Sequence, residues 1–272
     1  MISFPQAKIN LGLWVTGKRP DGYHNIESVF YPVDIQDVLE IIPSPDGRFE
    51  FASSGIPIPG DYQDNLVVKA YRMMKEKYGL PPVHIHLHKM IPLGSGTGGG
   101  SSDAAETIKI LNTLFQLKLG ILELSDHALA IGSDCPFFID PSPMLGSGRG
   151  EILEPLEFTL IKYNILLVFP GITVSTKEAY AALKPRVHQD SLKALVRLPV
   201  ESWKDFINND FEAVIFSKYP QLEALKQLLY QSGAVYASMT GSGSALYAIF
   251  DKTVDVSVIP RDYYPYLCPA KE

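Results

Sequence analysis

The chain has 272 residues, 46% hydrophobic and 20% charged, a balance that suits a soluble globular protein with a sizeable core. Twenty-four Lys and Arg against 30 Asp and Glu leave a net charge of −6 without a basic run, which argues against a nucleic-acid partner. Two cysteines, Cys135 and Cys268, lack metal or CxxC spacing, the first residues show no secretory leader, and no apolar run approaches the roughly 20 residues of a membrane span, so a cytoplasmic protein without a membrane partner is expected.

Residues 7–15 alternate as a strand, with Ile9, Leu11, Leu13 and Val15 on one face. Lys8, Asn10 and Gly12 share the other face and read as a floor beneath a ligand, the alternative being the solvated side of an edge strand. Turn formers from Gly17 to Gly22 deliver Tyr23 and His24 into a second strand through Ile26, Val29 and Tyr31. Such a pair stacks on or hydrogen-bonds a base, though it also serves ordinary strand packing. Residues 53–65 read as a loop whose last residues, Asp64 and Asn65, cap a helix over Leu66–Tyr78 that Gly79-Leu80-Pro81-Pro82 stops. Val83, Ile85 and Leu87 then alternate with His84, His86 and His88. Three histidines on one strand face invite a metal, but no carboxylate or cysteine cluster accompanies them, and a polar face is the better account.

The densest signal follows in Pro92-Leu93-Gly94-Ser95-Gly96-Thr97-Gly98-Gly99-Gly100-Ser101-Ser102-Asp103. Five glycines in seven residues are read as clearing Cβ atoms so that backbone N–H groups surround a ligand, not as a packing device. Helical spacing through Ala104, Ile108, Leu111 and Phe115 places a helix start near Ser101 or Ser102, with its unpaired N–H groups and positive dipole end facing the loop. Strand, glycine cradle and helix N-terminus together point to phosphate. No Lys follows the last glycine, which excludes a P-loop. Gly94, Gly96 and Gly99 satisfy GxGxxG, so a dinucleotide is the second reading. The acid expected about 20 residues later lacks a candidate, because Glu123 and Asp126 fall in a helical segment.

That segment runs through Leu124 and His127 to Ile131. Gly132-Ser133-Asp134-Cys135-Pro136 then sets the Asp134 carboxylate on a corner, before an expected strand over Phe137-Phe138-Ile139. Gly146–Gly150 reads as a further turn, and a boundary is expected near residues 155–162. Beyond it come a buried strand over Asn164–Phe169, a helix over Lys177–Leu183 carrying Tyr180, a mostly helical stretch over 186–232, and two strands flanking Thr240-Gly241-Ser242-Gly243-Ser244.

The order Pro-x-Ala-Lys-x-Asn-Leu near the N-terminus, the Pro-x-Gly-x-Gly-x-Gly-Gly-Gly-Ser-Ser loop and the late Thr-Gly-Ser-Gly resembles the superfamily of small-molecule kinases named for galactokinase, homoserine kinase, mevalonate kinase and phosphomevalonate kinase (GHMP). Arg19–His24, Asp64-Asn65-Leu66, Gly132–Pro136 and Pro170-Gly171-Ile172 resemble its branch that acts on a cytidine-diphosphate-linked methylerythritol in the non-mevalonate isoprenoid route. The resemblance implies an α+β protein of two lobes. Residues 1–158 would form an N-terminal ribosomal-protein S5-like lobe carrying the ATP loop, and residues 159–272 a ferredoxin-like lobe closing the substrate cleft. It implies ATP-dependent phosphorylation of a substrate hydroxyl, with Asp134 as catalytic base and Lys8 as its partner. Asn10, Tyr23, His24, Thr176 and Tyr180 would hold the small-molecule cytidyl substrate. Asn65, Lys89, Gly94, Ser95, Gly96, Thr97, Gly98, Gly99, Gly100, Ser101 and Ser102 would serve ATP, accompanied by Mg2+. Asp103 departs from the pattern where some relatives carry Asn, and an acid close to phosphates is electrostatically unfavourable unless it meets a cation or a cap.

Overall fold

Backbone pairing extends the strand alternations of the sequence further along the chain than the side-chain pattern alone suggests. A computed structural model describes residues 1–271. In chain order the elements begin with β1 Ile2–Ser3, β2 Gln6–Lys18, β3 His24–Gln36, β4 Val38–Pro43, β5 Glu50–Gly55, α1 Leu66–Tyr78, β6 Val83–Lys89, α2 Gly99–Leu114 and α3 Ile121–Ile131. There follow β7 Met144–Ser147, β8 Ile152–Pro155, β9 Asn164–Phe169, α4 Thr176–Ala182, α5 Leu192–Leu195, α6 Trp203–Phe206, α7 Phe211–Lys218, α8 Pro220–Gln231, β10 Tyr236–Met239, β11 Leu246–Phe250 and β12 Tyr264–Cys268. This mixture of helices and sheets is the α+β class expected. Contacts group the chain into two compact units that interleave in sequence and do not follow one cut of the chain.

The first unit comprises residues 1–7, 34–93 and 98–141. Its sheet runs β1-β4-β6-β5, with β5 parallel to β6 and the other pairs antiparallel. Val83, Ile85 and Leu87 of β6 are buried, as their alternation requires. His84, His86 and His88 form the polar face: Nε2 of His86 and Nδ1 of His88 lie 3.0 and 2.9 Å from the Ser54 hydroxyl. Helix α2 packs on β4 of this sheet and against α1. Helix α1 starts where Asn65 Oδ1 accepts from the Val67 N–H at 2.9 Å and stops where Gly79 turns left-handed at φ 65°.

The second unit comprises residues 8–33, 94–97 and 142–272. It contains the sheet β2-β3-β7-β8 and the antiparallel sheet β10-β11-β9-β12. Leu13 and Val15 of β2 share one buried cluster with Phe211, Leu222, Leu229 and Leu246, so α7, α8 and both sheets join one core.

Several expectations change. The residues read as a strand, Phe137-Phe138-Ile139, sit instead in and after a 3-10 helix over Cys135–Phe138, because Pro136 in the first turn fixes φ and supplies no ladder N–H. Ser53, Ser54 and Gly55 belong to β5, since backbone pairing with β6 overrides their loop-like composition. Gly146 and Ser147 end β7 and are not part of the turn. Gly12 is no part of a ligand floor. It adopts φ 75°, and a Cβ there would stand 2.7 Å from Leu192 and 2.8 Å from Ile207, so its bare Cα admits two core side chains.

Candidate active site

In the first unit the chemistry gathers where β6 ends and α2 begins. Helix α2 starts at Gly99, two or three residues earlier than its apolar spacing predicts, with Gly98 at φ 74° as its cap residue. No side chain caps it, so its first N–H groups are available to an anion, a fit to a phosphate ligand. Lys89, Asn65 and Gly100 from the expected ATP set line one cavity of about 250 Å3 together with Phe51, Tyr62, Leu66, Leu87 and Asp103. Ser53, Asp61 and Asp64 also line it, so apolar and polar side chains share a volume below the roughly 300–1,000 Å3 of drug-sized sites.

Lys89 is buried, and its ammonium lies 2.5 Å from Asp37 Oδ2 and 2.6 Å from Asp103 Oδ2. Asp37 Oδ1 accepts from the Met90 and Ile91 N–H groups at 2.6 and 2.8 Å. Asp103 Oδ1 is buried without a hydrogen-bond partner. Burial pushes the Asp103 carboxyl up to about 8, outweighing the pull of the Lys89 ammonium, and the Asp37 carboxylate adds to the rise. The rise favours the uncharged acid, which eases its conflict with an anion at the start of α2. Its pKa in an unfolded chain is near 3.8, so between that value and about 8 the folded state holds the extra proton, and this group's contribution to stability falls as pH rises through that window.

Asp134 follows the end of α3, at φ −83° and ψ −15°, held between Gly132 and the 3-10 helix that Pro136 opens. Ser101 and Ser102 lie in the first turn of α2. Cys135 is buried, and its thiol is pushed up to about 12 by that burial, so it stays protonated and inert as a nucleophile.

In the second unit a buried polar network joins β2 to both glycine turns. Lys8 Nζ donates to Asn10 Oδ1 at 2.7 Å and to the Gly96 carbonyl at 3.1 Å. Asn10 Oδ1 also accepts from the Gly241 N–H at 2.9 Å, while Asn10 Nδ2 donates to Ser28 Oγ at 2.8 Å. Residues 94–97 are tied down by the Lys8 N–H to Thr97 O at 2.9 Å and the Ala245 N–H to Ser95 O at 3.2 Å. Ser95 and Thr97 join their hydroxyls at 2.6 Å. Thr176 Oγ1 lies 2.9 Å from Ser242 Oγ, which brings the start of α4 to the same turn.

The expected aromatic residues meet one another and a cation. His24 and Tyr180 stack on each other at 5.0 Å and 25°, Tyr180 meets Phe211 edge-on at 4.8 Å, and Tyr23 is 55% exposed with the Arg149 guanidinium 5.0 Å from its ring centre. Burial lowers the His24 pKa and the Lys18 charge adds to this, so the imidazole is neutral near pH 7.

Five residues of this constellation were not in the expected set. Arg149 and Asp37 carried no local signal, being one turn cation and one strand-end acid. Asp103 was visible only as a departure from a pattern. Thr240 and Gly241 lay in a recognisable glycine turn whose partners, Asn10 and Gly96, are far away in the chain. Two glycines also act otherwise than expected. A Cβ at Gly96 would stand 2.2 Å from the Thr240 carbonyl oxygen, and one at Gly99 would stand 2.8 Å from Ile91 and 3.1 Å from Lys89 Nζ. These two are bare because protein approaches them. The second reading, a dinucleotide site, loses its support because α2 leads into α3 and not into a second strand; Glu123 there accepts from the Gly120 N–H at 3.0 Å as a helix cap.

Comparison with known proteins places this geometry. The description "GHMP kinases N terminal domain" matches residues 65–140, and "GHMP kinases C terminal" matches residues 191–262. The chain belongs to the GHMP kinase family and is an ATP-dependent small-molecule kinase. A Parabacteroides distasonis protein named 4-diphosphocytidyl-2-C-methyl-D-erythritol kinase is 48% identical over 252 residues, 93% of this chain and 92% of that one. One of the same name from Cytophaga hutchinsonii is 50% identical over 92% of this chain and 93% of its own length. A crystal structure of 4-(cytidine 5'-diphospho)-2C-methyl-D-erythritol kinase superposes with a TM-score of 0.77 at 31% identity, covering 92% of this chain and 90% of that one. Mevalonate kinase from Methanococcus jannaschii shares the fold, at a TM-score of 0.71 and 12% identity, over 100% of this chain and 98% of its own.

The two kinds of glycine separate in a stability measurement. Gly94 has φ 62° with open space around a Cβ, whereas Gly96 has φ 81° and meets backbone. Gly94→Ala should cost only the left-handed strain of about 1–2 kcal/mol. Gly96→Ala adds a backbone clash and should cost clearly more, read as the difference between the two urea midpoints.

Proposed function

We propose that this chain transfers the terminal phosphoryl group of ATP to a hydroxyl of 4-diphosphocytidyl-2-C-methyl-D-erythritol, in the cytoplasm, as a step of the non-mevalonate isoprenoid route. The observation that carries this reading is the 48% identity, over 93% of the chain, to a relative of that name.

Phosphoryl transfer asks a protein mainly for positioning and for charge stabilisation. The N–H groups at the start of α2, with the loop residues 94–102, hold the ATP phosphates, and the cavity beside Asn65 and Lys89 takes the adenine base. Among the described residues no group of three or more His, Cys, Asp or Glu gathers to hold a metal. Magnesium, which keeps several waters and binds readily through phosphate oxygens, would arrive with the nucleotide and would neutralise phosphate charge. Lys8, whose ammonium Asn10 orients, serves to stabilise charge that develops on the transferred group. Asp134 accepts the proton of the attacking hydroxyl. Tyr23, His24 and Tyr180 receive the cytosine, the neutral His24 ring offering one donor and one acceptor to its edge, while Asn10 and Thr176 serve the remainder of the substrate.

ADP release with the cytidyl substrate should exceed that with mevalonate or homoserine by orders of magnitude; equal turnover on either simpler alcohol refutes the assignment. Asp134→Asn keeps the shape of the corner and removes the proton acceptor. Turnover should fall by roughly 10²–10⁴-fold while calorimetry shows both substrates still bound. Turnover close to that of the parent would remove Asp134 from the chemistry. Tyr23 is exposed, so Tyr23→Ala should leave the thermal midpoint in place. Loss of a stacking partner worth about 1–3 kcal/mol should raise KM for the cytidyl substrate roughly tenfold or more without moving that for ATP.

A further inference from the structure

The glycine loop begins and ends on segments that one buried ammonium ties together. Lys89 closes β6, and its Nζ is held 2.6 Å from Asp103 in the first turns of α2 and 2.5 Å from Asp37. Asp37 in turn fixes the backbone immediately after Lys89, accepting from the N–H groups of Met90 and Ile91. Gly99 leaves no room for a Cβ between itself and Ile91 or the Lys89 ammonium, so the first residue of α2 closes directly on the same two side chains. Residue 37, residues 89–91 and residues 99–103 therefore interlock at a single cation.

We propose that Asp103 is a positioning residue for the nucleotide: through Lys89, and with Asp37 completing the clamp, it fixes the start of α2 relative to the end of β6 so that the helix N–H groups meet the ATP phosphates in register. This rests on the assignment of those N–H groups to ATP. Asp103 lies four residues beyond Gly99, about 6 Å along the axis, so the tether acts close to the donors themselves. Three buried ionisable groups of this kind are a poor source of net stability, because desolvation offsets their attraction. What they provide is one permitted arrangement of three segments. A misplacement of about 1 Å in such a site can cost on the order of 10²-fold. Lys89 thus serves ATP by what it holds, since its own ammonium is engaged by two carboxyl groups.

The charge balance makes the test practicable. Asp103→Leu leaves Lys89 and Asp37 as a matched pair, so the fold is expected to survive while the tether to α2 is lost. Asp103→Asn keeps an acceptor for Lys89 and, like the protonated acid, carries no charge. ATP affinity and affinity for 4-diphosphocytidyl-2-C-methyl-D-erythritol are measured separately by calorimetry, with no turnover, alongside hydrogen exchange of residues 89–103 and of β11. Asp103→Leu should raise Kd for ATP about tenfold or more, leave Kd for the cytidyl substrate within about twofold, and speed exchange in 89–103 but not in β11. Asp103→Asn should restore ATP affinity to near the parent value. Unchanged ATP affinity in folded Asp103→Leu, an equal loss for both ligands, or failure of Asn to rescue overturns the proposal. If Asp103→Leu and Asp103→Ser both fail to fold, Asp103 is a determinant of the fold and the proposal is overturned. If the parent protein itself does not bind ATP, it is the assignment of the loop that fails.

Discussion

Two backbone turns approach each other more closely than any side chain permits. Around Gly96 the Thr240 carbonyl oxygen occupies the place a Cβ would need, at 2.2 Å, and a Cβ at Gly241 would stand 2.8 Å from the Gly96 carbonyl oxygen. Only hydrogen atoms fit between them, and this fixes the neighbouring polar groups. The Gly96 carbonyl is free on its other side to accept from Lys8, the Ser95 carbonyl accepts from Ala245, and Asn10 spans from Lys8 to the Gly241 N–H. Buried polar groups left unmatched cost about 1–3 kcal/mol each, so a network in which each member satisfies another holds the geometry more firmly than packing alone. The placement of Lys8 is a consequence of that closure.

A chain of net charge −6 that binds a triphosphate has an electrostatic problem to solve. Its sequence holds no basic run, and the uncapped start of α2 offers backbone N–H groups, which carry partial positive charge and little conformational entropy. Asp103, an acid within the first turns of that helix, has its carboxyl raised to about 8 by burial, which favours its neutral form where the nucleotide is anionic. Lys89 is matched to Asp37 and Asp103, which leaves it no excess charge to offer. Around the start of α2, the Lys89 and Asp37 charges act on the backbone, which they hold in place.

Elements whose signal is local were readable from residues alone. Helix α1 over Leu66–Tyr78 and strand β9 over Asn164–Phe169 have the bounds their caps, glycines and prolines announce. The class of site was also visible, since strand, glycine loop and helix N-terminus are adjacent in sequence and their chemistry follows from order. The family motifs supplied the substrate, which no periodicity contains. Misreadings arose where composition and pairing disagree. Ser53–Gly55 look like loop but join β5 by hydrogen bonding to β6, and Phe137–Ile139 look like strand but follow a proline that commits them to a 3-10 turn.

The sequence by itself determined the glycine cradle, the corner that carries Asp134 and the polar residues along β2, because each depends on neighbours within a few positions. Only the tertiary structure decided what those residues face. Gly12 opens onto Leu192 and Ile207, Gly96 onto Thr240, and Gly99 onto Ile91 and Lys89. Asp103 became intelligible once Asp37 and Lys89, 66 and 14 positions away, were seen at its side. A glycine records that something comes close and a buried acid that something compensates it, but the identity of the partner is set by the path of the chain between them, and that path is fixed by the cooperative burial of a whole core.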